Sequence, residues 1–264
     1  MAISSAENVK NLRERTGAGM MDCKAALEAS GGDIEKAVDF LRKKGVAQAA
    51  KRAGREAREG VVALRINGTK AALVEANCET DFVARTEDFR SLAEMALNEV
   101  LSKGESAITG DMITHRISEL SGKIGEKLIV RRARRVDASG GVLYGYLHSN
   151  QKLAVIVELS VSSDELGKNL AMQVAASNPL CIRRAEVPAA TLEREKAIYR
   201  EEIKGKPETI VEKILQGKLE KFYQTHCLLE QPFIKDDKIS VGQLLGPVQV
   251  KQFVRFQLGE SPGQ

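Results

Sequence analysis

Three histidines and four cysteines are the obvious places to look for reaction chemistry in these 264 residues. His226 adjoins Cys227, but neighbours on a helix point apart, so a nucleophile–base pair is disfavoured there. His115 falls in a polar helical stretch and reads as surface, while His148 reads as an exposed contact residue at a hairpin loop. Cys23, Cys78, Cys181 and Cys227 stand far apart, with no C-x-x-C and no tight Cys/His group. That spacing suits buried thiols in a reducing cytoplasm better than a disulfide frame or a zinc site. Gly17-Ala18-Gly19 has the look of a phosphate-loop fragment, yet it follows no strand and lacks the G-K-[ST] ending. A glycine that ends a helix is the preferred reading. Asp81 has no second acid placed to pair with it, and its plainest role is a cap on the approach to a helix. No nucleophile elbow, zinc-protease, calcium-loop or kinase pattern occurs. An enzyme is disfavoured, and neither a metal nor a cofactor is expected.

Charge narrows the alternatives further. Forty basic residues against 36 acidic ones leave +4, too weak to imply nucleic acid by itself. Residues 42–58 carry seven basic side chains against Glu56 alone, a run read as a solvated face ahead of a nucleic-acid contact. Arg131-Arg132-Ala133-Arg134-Arg135 is the densest cluster. On a strand these arginines alternate faces, so half at most address one phosphate backbone. Without interleaved aromatics the cluster is read as structural or protein-facing; RNA binding remains the competitor for the molecule as a whole. No stretch approaches the roughly 20 apolar residues that span a bilayer, and residues 1–10 hold no signal-peptide core. A membrane protein is excluded.

The elements that must position these residues fall into four stretches, and the length suits one to two compact units. Residues 3–50 read as three short helices. Ser5 caps the first, which carries Val9 and Leu12; Met20, Cys23 and Leu27 line the second; Gly31-Gly32 and Asp33 introduce a third with Ile34, Ala37, Val38 and Leu41. A core so small is marginal alone. The basic run that follows is a linker or an exposed helix. Residues 61–66 and 71–77 are β-rich and flank Asn67-Gly68, a hairpin turn signal. Helices are expected over 87–101 and around 112–120, then an arginine-rich strand over 127–136.

The third stretch repeats this plan. Residues 141–147 and 153–159 form a second hairpin pattern, followed by a helix over 164–176 and a late strand over 248–258. Gly60 matches Gly141 at an offset of 81, and Leu73-Val74-Glu75 matches Ile156-Val157-Glu158 at an offset of 83. Each copy is strand, strand, helix, strand. The copies differ in one place: Glu158 to Asp164 is six positions, but Glu75 to Glu87 is twelve. The extra residues include Thr80-Asp81-Phe82-Val83, and packing alone does not require them. The fourth stretch interrupts the second copy. Leu192, Tyr199 and Ile203 line one helix, Gly205-Lys206-Pro207 breaks it, and Val211, Leu215, Leu219 and Phe222 line another, giving an antiparallel helical hairpin.

The residues 12–24 (L-R-E-R-T-G-A-G-M-M-D-C-K), followed by Ala26-Leu27, resemble the first signature of the elongation factor Ts family, and 75–85 with Thr80-Asp81-Phe82-Val83 resemble the second. Residues 172–179 (M-Q-V-A-A-S-N-P), Gln231-Pro232-Phe233 and Val241-Gly242-Gln243-Leu244-Leu245 extend the resemblance over essentially the whole chain. Ala25 and Ala76 depart from the family's usual basic and larger aliphatic residues. The short tail after Leu258 would lack a C-terminal helix that some members carry. The resemblance implies an α+β fold: a UBA-like helical domain with basic linker at 1–55, a core N-terminal subdomain at 56–140, a C-terminal one at 141–182 and 228–264, and a coiled-coil hairpin at 183–227. It implies a cytoplasmic guanine-nucleotide exchange factor without covalent chemistry, whose partner is the GTPase elongation factor Tu, with a homodimer or 2:2 complex open and direct RNA binding disfavoured. Thr80, Asp81, Phe82 and Val83 would promote exchange, with Asp81 and Phe82 acting on the partner's Mg²⁺ site. Leu12, Arg13, Thr16, Gly17, Gly19, Met20, Asp22 and His148 would bind the partner.

Overall fold

A computed structural model describes residues 5–203 and 207–260. The hairpin break expected at Gly205-Lys206 lies outside the described residues, as do Ile3 and the tail from 261. The chain begins with α1 (Ala6–Thr16), α2 (Met20–Ala29) and α3 (Ile34–Arg52). Ser5 caps α1 through Asn8 N, and Gly17 ends it in the left-handed region that its missing Cβ permits. Val9, Leu12, Cys23, Ala26, Leu27 and Ala37 form the small core of these helices. The basic run expected as a linker or exposed helix falls mostly in the second half of α3.

Next come β1 (Glu59–Asn67), β2 (Lys70–Cys78), the single turn α4 (Asp81–Ala84), α5 (Glu87–Lys103), α6 (Asp111–Ile124) and β3 (Ile129–Asp137). The second copy supplies β4 (Val142–Leu147), β5 (Leu153–Leu159) and α7 (Asp164–Ser177), then α8 (Ala189–Glu202) and α9 (Glu208–His226). It closes with β6 (Pro232–Phe233), β7 (Asp236–Ser240), α10 (Val241–Leu245) and β8 (Val250–Gln257). The fold is α+β. The hairpin turn falls one residue later than expected: Asn67 pairs with Lys70, and Gly68 alone of the two loop residues has positive φ, the pattern of a II′ turn. Helix α10 and the β6–β7 pair are too short to show a period in the sequence.

Two three-stranded antiparallel sheets, β1-β2-β3 and β4-β5-β8, carry the core. Alternation assigns the faces. Ala71 and Leu73 of β2 meet Ala154 and Ile156 of β5 between the sheets. Ala72, Val74 and Ala76 turn the other way, toward Phe89, Leu92 and Leu97 of α5. Val155, Val157 and Leu159 likewise turn toward Leu170 and Val174 of α7. The molecule is thus layered helix, sheet, sheet, helix, and β2 and β5 are buried on both faces.

The sequence repeat is a repeat in space. A Cβ added at Gly60 would lie 2.0 Å from the carbonyl oxygen of Ala76, and one added at Gly141 would lie 2.3 Å from that of Leu159. Glu75 and Glu158, both fully buried, each precede the register shift between the central strand and its third neighbour. Glu75 accepts from Arg132 Nε at 2.6 Å and Gly259 N at 2.9 Å. Glu158 accepts from Ser139 N, Gly141 N and Gln252 Nε2 at 2.7, 2.9 and 2.6 Å. Among the described residues, no helix is long and apolar enough to cross a membrane.

Candidate functional site

The segment absent from the second copy begins where β2 ends. Thr80, with extended backbone, caps α4: its Oγ1 accepts from Val83 N at 3.4 Å. The cap is therefore Thr80, and Asp81, which the sequence suggested for that role, occupies the first helical position. Thr80 Oγ1 donates to Glu126 Oε1 at 2.6 Å, while Glu126 Oε2 accepts from the Thr80 and Glu79 amides at 3.0 and 3.1 Å. Glu79 in turn accepts from Lys127 N at 2.6 Å and Arg55 Nη1 at 3.2 Å. Lys127 Nζ closes the base on the carbonyls of Ala53 and Arg55 at 2.6 and 2.7 Å.

On this base, Val83 and Ala84 turn inward and are buried, whereas Phe82 is 80% exposed. A phenylalanine that open to water gains nothing from folding, although burying it would be favourable. Asp81 is half-buried and paired with Arg85 at 2.8 Å, an i,i+4 surface pair of small worth. The Lys127 amide, with Arg55 beside it, holds the Glu79 carboxyl below the usual range. Burial pushes the Cys78 thiol up to about 12, so it is an inert packing group. Among the described residues, no three His, Cys, Asp or Glu side chains are grouped to hold a metal.

The residues of the first signature divide by exposure. Leu12 is fully buried and shapes the helical core, while Met20 is 60% and its neighbour Met21 76% exposed. Arg13, Gly17 and Gly19 are exposed. Thr16 Oγ1 donates to Leu12 O at 2.7 Å and accepts from Ala18 N at 3.3 Å, tying the loop to α1. Asp22 pairs with Lys44 at 2.7 Å. Gly17 faces Lys123 of α6, whose Cε would lie 2.6 Å from an added Cβ, and Lys123 pairs with Asp88 at 2.8 Å. The last turn of α6 therefore stands between the Gly17 loop on one side and, through Glu126, the Phe82 segment on the other. Deeper in the same interface, Gly122 would place a Cβ 3.1 Å from Gly45 Cα, and Arg52 Nη1 donates to Ser121 O at 2.9 Å. A cavity of about 1060 Å³, lined by Val38, Leu41, Met95 and Met112 among others, opens beside this contact.

His148 is exposed, with Nδ1 2.7 Å from Tyr146 Oη. Its loop is fixed by Val62 N donating to Gln151 O at 2.7 Å and by the Lys152–Glu59 pair at 2.8 Å. Glu59 is also the strand partner of Cys78, so the His148 loop and the start of the Phe82 segment both lie at the Glu59 end of β1. His115 is exposed and His226 bonds the Phe222 carbonyl at 2.9 Å. The arginine cluster faces its own carboxylates: Arg131 and Arg132 meet Glu75, Arg134 meets Glu105, and Arg135 meets Asp137. The site residues that sequence reasoning missed are Glu126, Lys127 and Arg55. Glu126 lies 46 positions from Thr80, with nothing in its local pattern to single it out.

The profile of the family described as Elongation factor TS matches residues 79–260. Elongation factor Ts of Prosthecochloris aestuarii (strain DSM 271 / SK 413) is 45% identical over 287 residues, covering 98% of this chain and 100% of that protein. Elongation factor Ts of Chlorobium phaeobacteroides (strain BS1) gives the same identity and coverage. That of Nitratidesulfovibrio vulgaris (strain DP4) is 45% identical over 285 residues, covering 98% of this chain and 97% of its own. The likeness runs from the first helices through both sheets and the segment around Phe82, and the chain belongs to the elongation factor Ts family.

Proposed function

We propose that this protein is a translation elongation factor that releases GDP, and with it Mg²⁺, from the GTPase elongation factor Tu so that GTP can load. The observation that carries this reading is Phe82, 80% exposed on a segment held at its base by Glu126. Exchange makes no covalent bond, so it calls for neither a catalytic triad nor a metal centre in the factor. What it requires is differential binding: the factor must grip the empty partner better than the GDP-bound one. By linkage, nucleotide then weakens the factor's grip equally. An acceleration of about 10³ to 10⁵ corresponds to roughly 4 to 7 kcal/mol off the barrier.

Phe82 acts as an apolar wedge whose seating in a partner pocket displaces neighbouring helices. Asp81 brings negative charge toward the partner's Mg²⁺ and phosphates. Arg13, Thr16, Gly17, Gly19, Met20 and Asp22, on a frame that Leu12 helps to pack, anchor one side; His148 anchors another. In this reading 1–55 is a UBA-like domain with its linker, 56–140 and 141–182 with 228–264 are the two core subdomains, and 183–227 is a coiled-coil hairpin. The hairpin, with Ile198 and Ile210 exposed, is the surface available for a homodimer or a 2:2 complex. The protein acts in the cytoplasm, and direct RNA binding is disfavoured because its densest arginine cluster is already paired with carboxylates.

The test is release of fluorescent GDP from elongation factor Tu, with excess unlabelled nucleotide, against rising concentrations of this protein. A release rate that climbs with concentration supports exchange. A flat trace with a folded sample contradicts it and moves RNA binding to first place, recognisable by its steep loss of affinity with salt.

A further inference from the structure

Cys181 and Cys227 lie 46 residues apart in sequence, one just before and one just after the α8–α9 hairpin, with their Sγ atoms 3.7 Å apart. The two residues form a parallel β-bridge, and Leu228 N donates to Cys181 O at 2.9 Å while Leu180 N donates to His226 O at 2.8 Å. Residues paired across neighbouring strands have Cα separations within the range that a disulfide spans. Side-chain rotation alone is then needed to bring the sulfurs together. The other two cysteines sit in other parts of the core, Cys23 among α1–α3 and Cys78 beneath α5.

We propose that Cys181 and Cys227 are an oxidation site, a dithiol that closes to an intramolecular disulfide and staples the root of the helical hairpin. The co-reactant is a small disulfide such as oxidised glutathione. One protein thiol, deprotonated, attacks a reagent sulfur; the reagent's S–S bond breaks, a mixed disulfide forms and one glutathione thiolate leaves. The second protein thiolate attacks the protein sulfur of that mixed disulfide, the Cys181–Cys227 bond forms, and a second glutathione leaves. Two electrons pass from the protein to the reagent, and the two thiol protons end on the two glutathiones.

Cys181 is 8% exposed and Cys227 fully buried, so attack begins at Cys181. Burial raises both thiols, Cys227 to about 12, and the thiolate is the nucleophile. The site therefore answers sustained oxidation slowly, and faster as pH rises. The root has a second clamp: Arg184 pairs with Glu220 and Glu230 and lies 4.5 Å over the Tyr223 ring. That clamp is exposed and weakened by salt, whereas a disulfide is not.

The full chain would be incubated with oxidised glutathione, its remaining thiols alkylated, and the digest analysed by mass spectrometry. A Cys181–Cys227 cross-linked peptide is expected as the dominant linkage, abolished by dithiothreitol. The oxidised protein should melt higher by roughly 5 °C or more, and the gain should vanish in Cys181→Ser and in Cys227→Ser. Oxidation that stops at glutathione adducts on Cys181, leaves both thiols free, or links them to Cys23 or Cys78 overturns the site. A Cys181–Cys227 linkage without a higher melting temperature overturns the staple. These readings are independent of whether the protein exchanges nucleotide.

Discussion

Glu126 commits its whole carboxylate to Thr80 and the residue before it: one oxygen takes the Thr80 hydroxyl at 2.6 Å, the other the Thr80 and Glu79 amides at 3.0 and 3.1 Å. Since Thr80 caps the turn that displays Phe82, this contact sets how stiffly the wedge is presented. Glutamine at 126 would offer one acceptor, with an NH₂ facing donors. Glu126→Gln should cost about 1 to 3 kcal/mol in urea unfolding and slow GDP release beyond any loss of partner affinity. Wild-type values in both measurements would remove Glu126 from the account.

The paired glycines of the two copies make a second expectation. Gly60 and Gly141 both stand where an added Cβ would drive into a carbonyl oxygen, at 2.0 and 2.3 Å, and Gly60 in addition has φ near +148°. Gly60→Ala and Gly141→Ala should each destabilise by ~2 kcal/mol or more through forced backbone movement. Urea denaturation checks this. An Ala variant as stable as wild type would show that the two positions are not rigid equivalents.

Acid should weaken the second sheet through Glu158. Burial works to raise its carboxyl, but the donors from Gln252, Ser139 and Gly141 outweigh burial and hold it below the ordinary range. A depressed folded value means that the stabilisation is complete above the unfolded value of about 4.3 and is lost as pH falls through the folded one. The urea midpoint should decline from roughly pH 5 downward. In Glu158→Gln it should be lower at neutral pH and flatter in acid. A variant with the same acid slope as wild type would assign that slope to other carboxylates.

Docking of the N-terminal helices rests on two glycines, since Gly122 would place a Cβ 3.1 Å from Gly45 Cα. Gly122→Leu should lift α3 from α6 and expose residues 42–58 to limited proteolysis, with near-wild-type far-UV circular dichroism from the two-sheet core. Protection equal to wild type would mean that the Arg52 and Lys127 contacts suffice.

Much of this was legible beforehand, for physical reasons that differ by element. Ser5, Gly17 and Gly31 marked helix ends because caps and left-handed positions restrict residue type. The offsets of 81 and 83 exposed the repeat because Gly60/Gly141 and Glu75/Glu158 answer one packing problem twice. The twelve-against-six comparison singled out the segment that holds Thr80-Asp81-Phe82-Val83 for the same reason, and the family resemblance pointed to Phe82 within it. Glu126, Lys127 and Arg55 were not legible, since their partners are supplied by chain reversal and not by spacing. The nearness of Cys181 to Cys227 was hidden similarly: the hairpin between them separates them in sequence and returns them to one bridge.

Phe82→Ala tests the central claim most directly. It removes an exposed ring, so folding should be unchanged, and affinity for nucleotide-free elongation factor Tu should be largely kept. Stopped-flow release of labelled GDP at saturating factor should slow by about tenfold or more, equivalent to ~1.4 kcal/mol or more at the barrier. Release at the wild-type rate would contradict the wedge and leave the exposure of Phe82 without the role assigned to it.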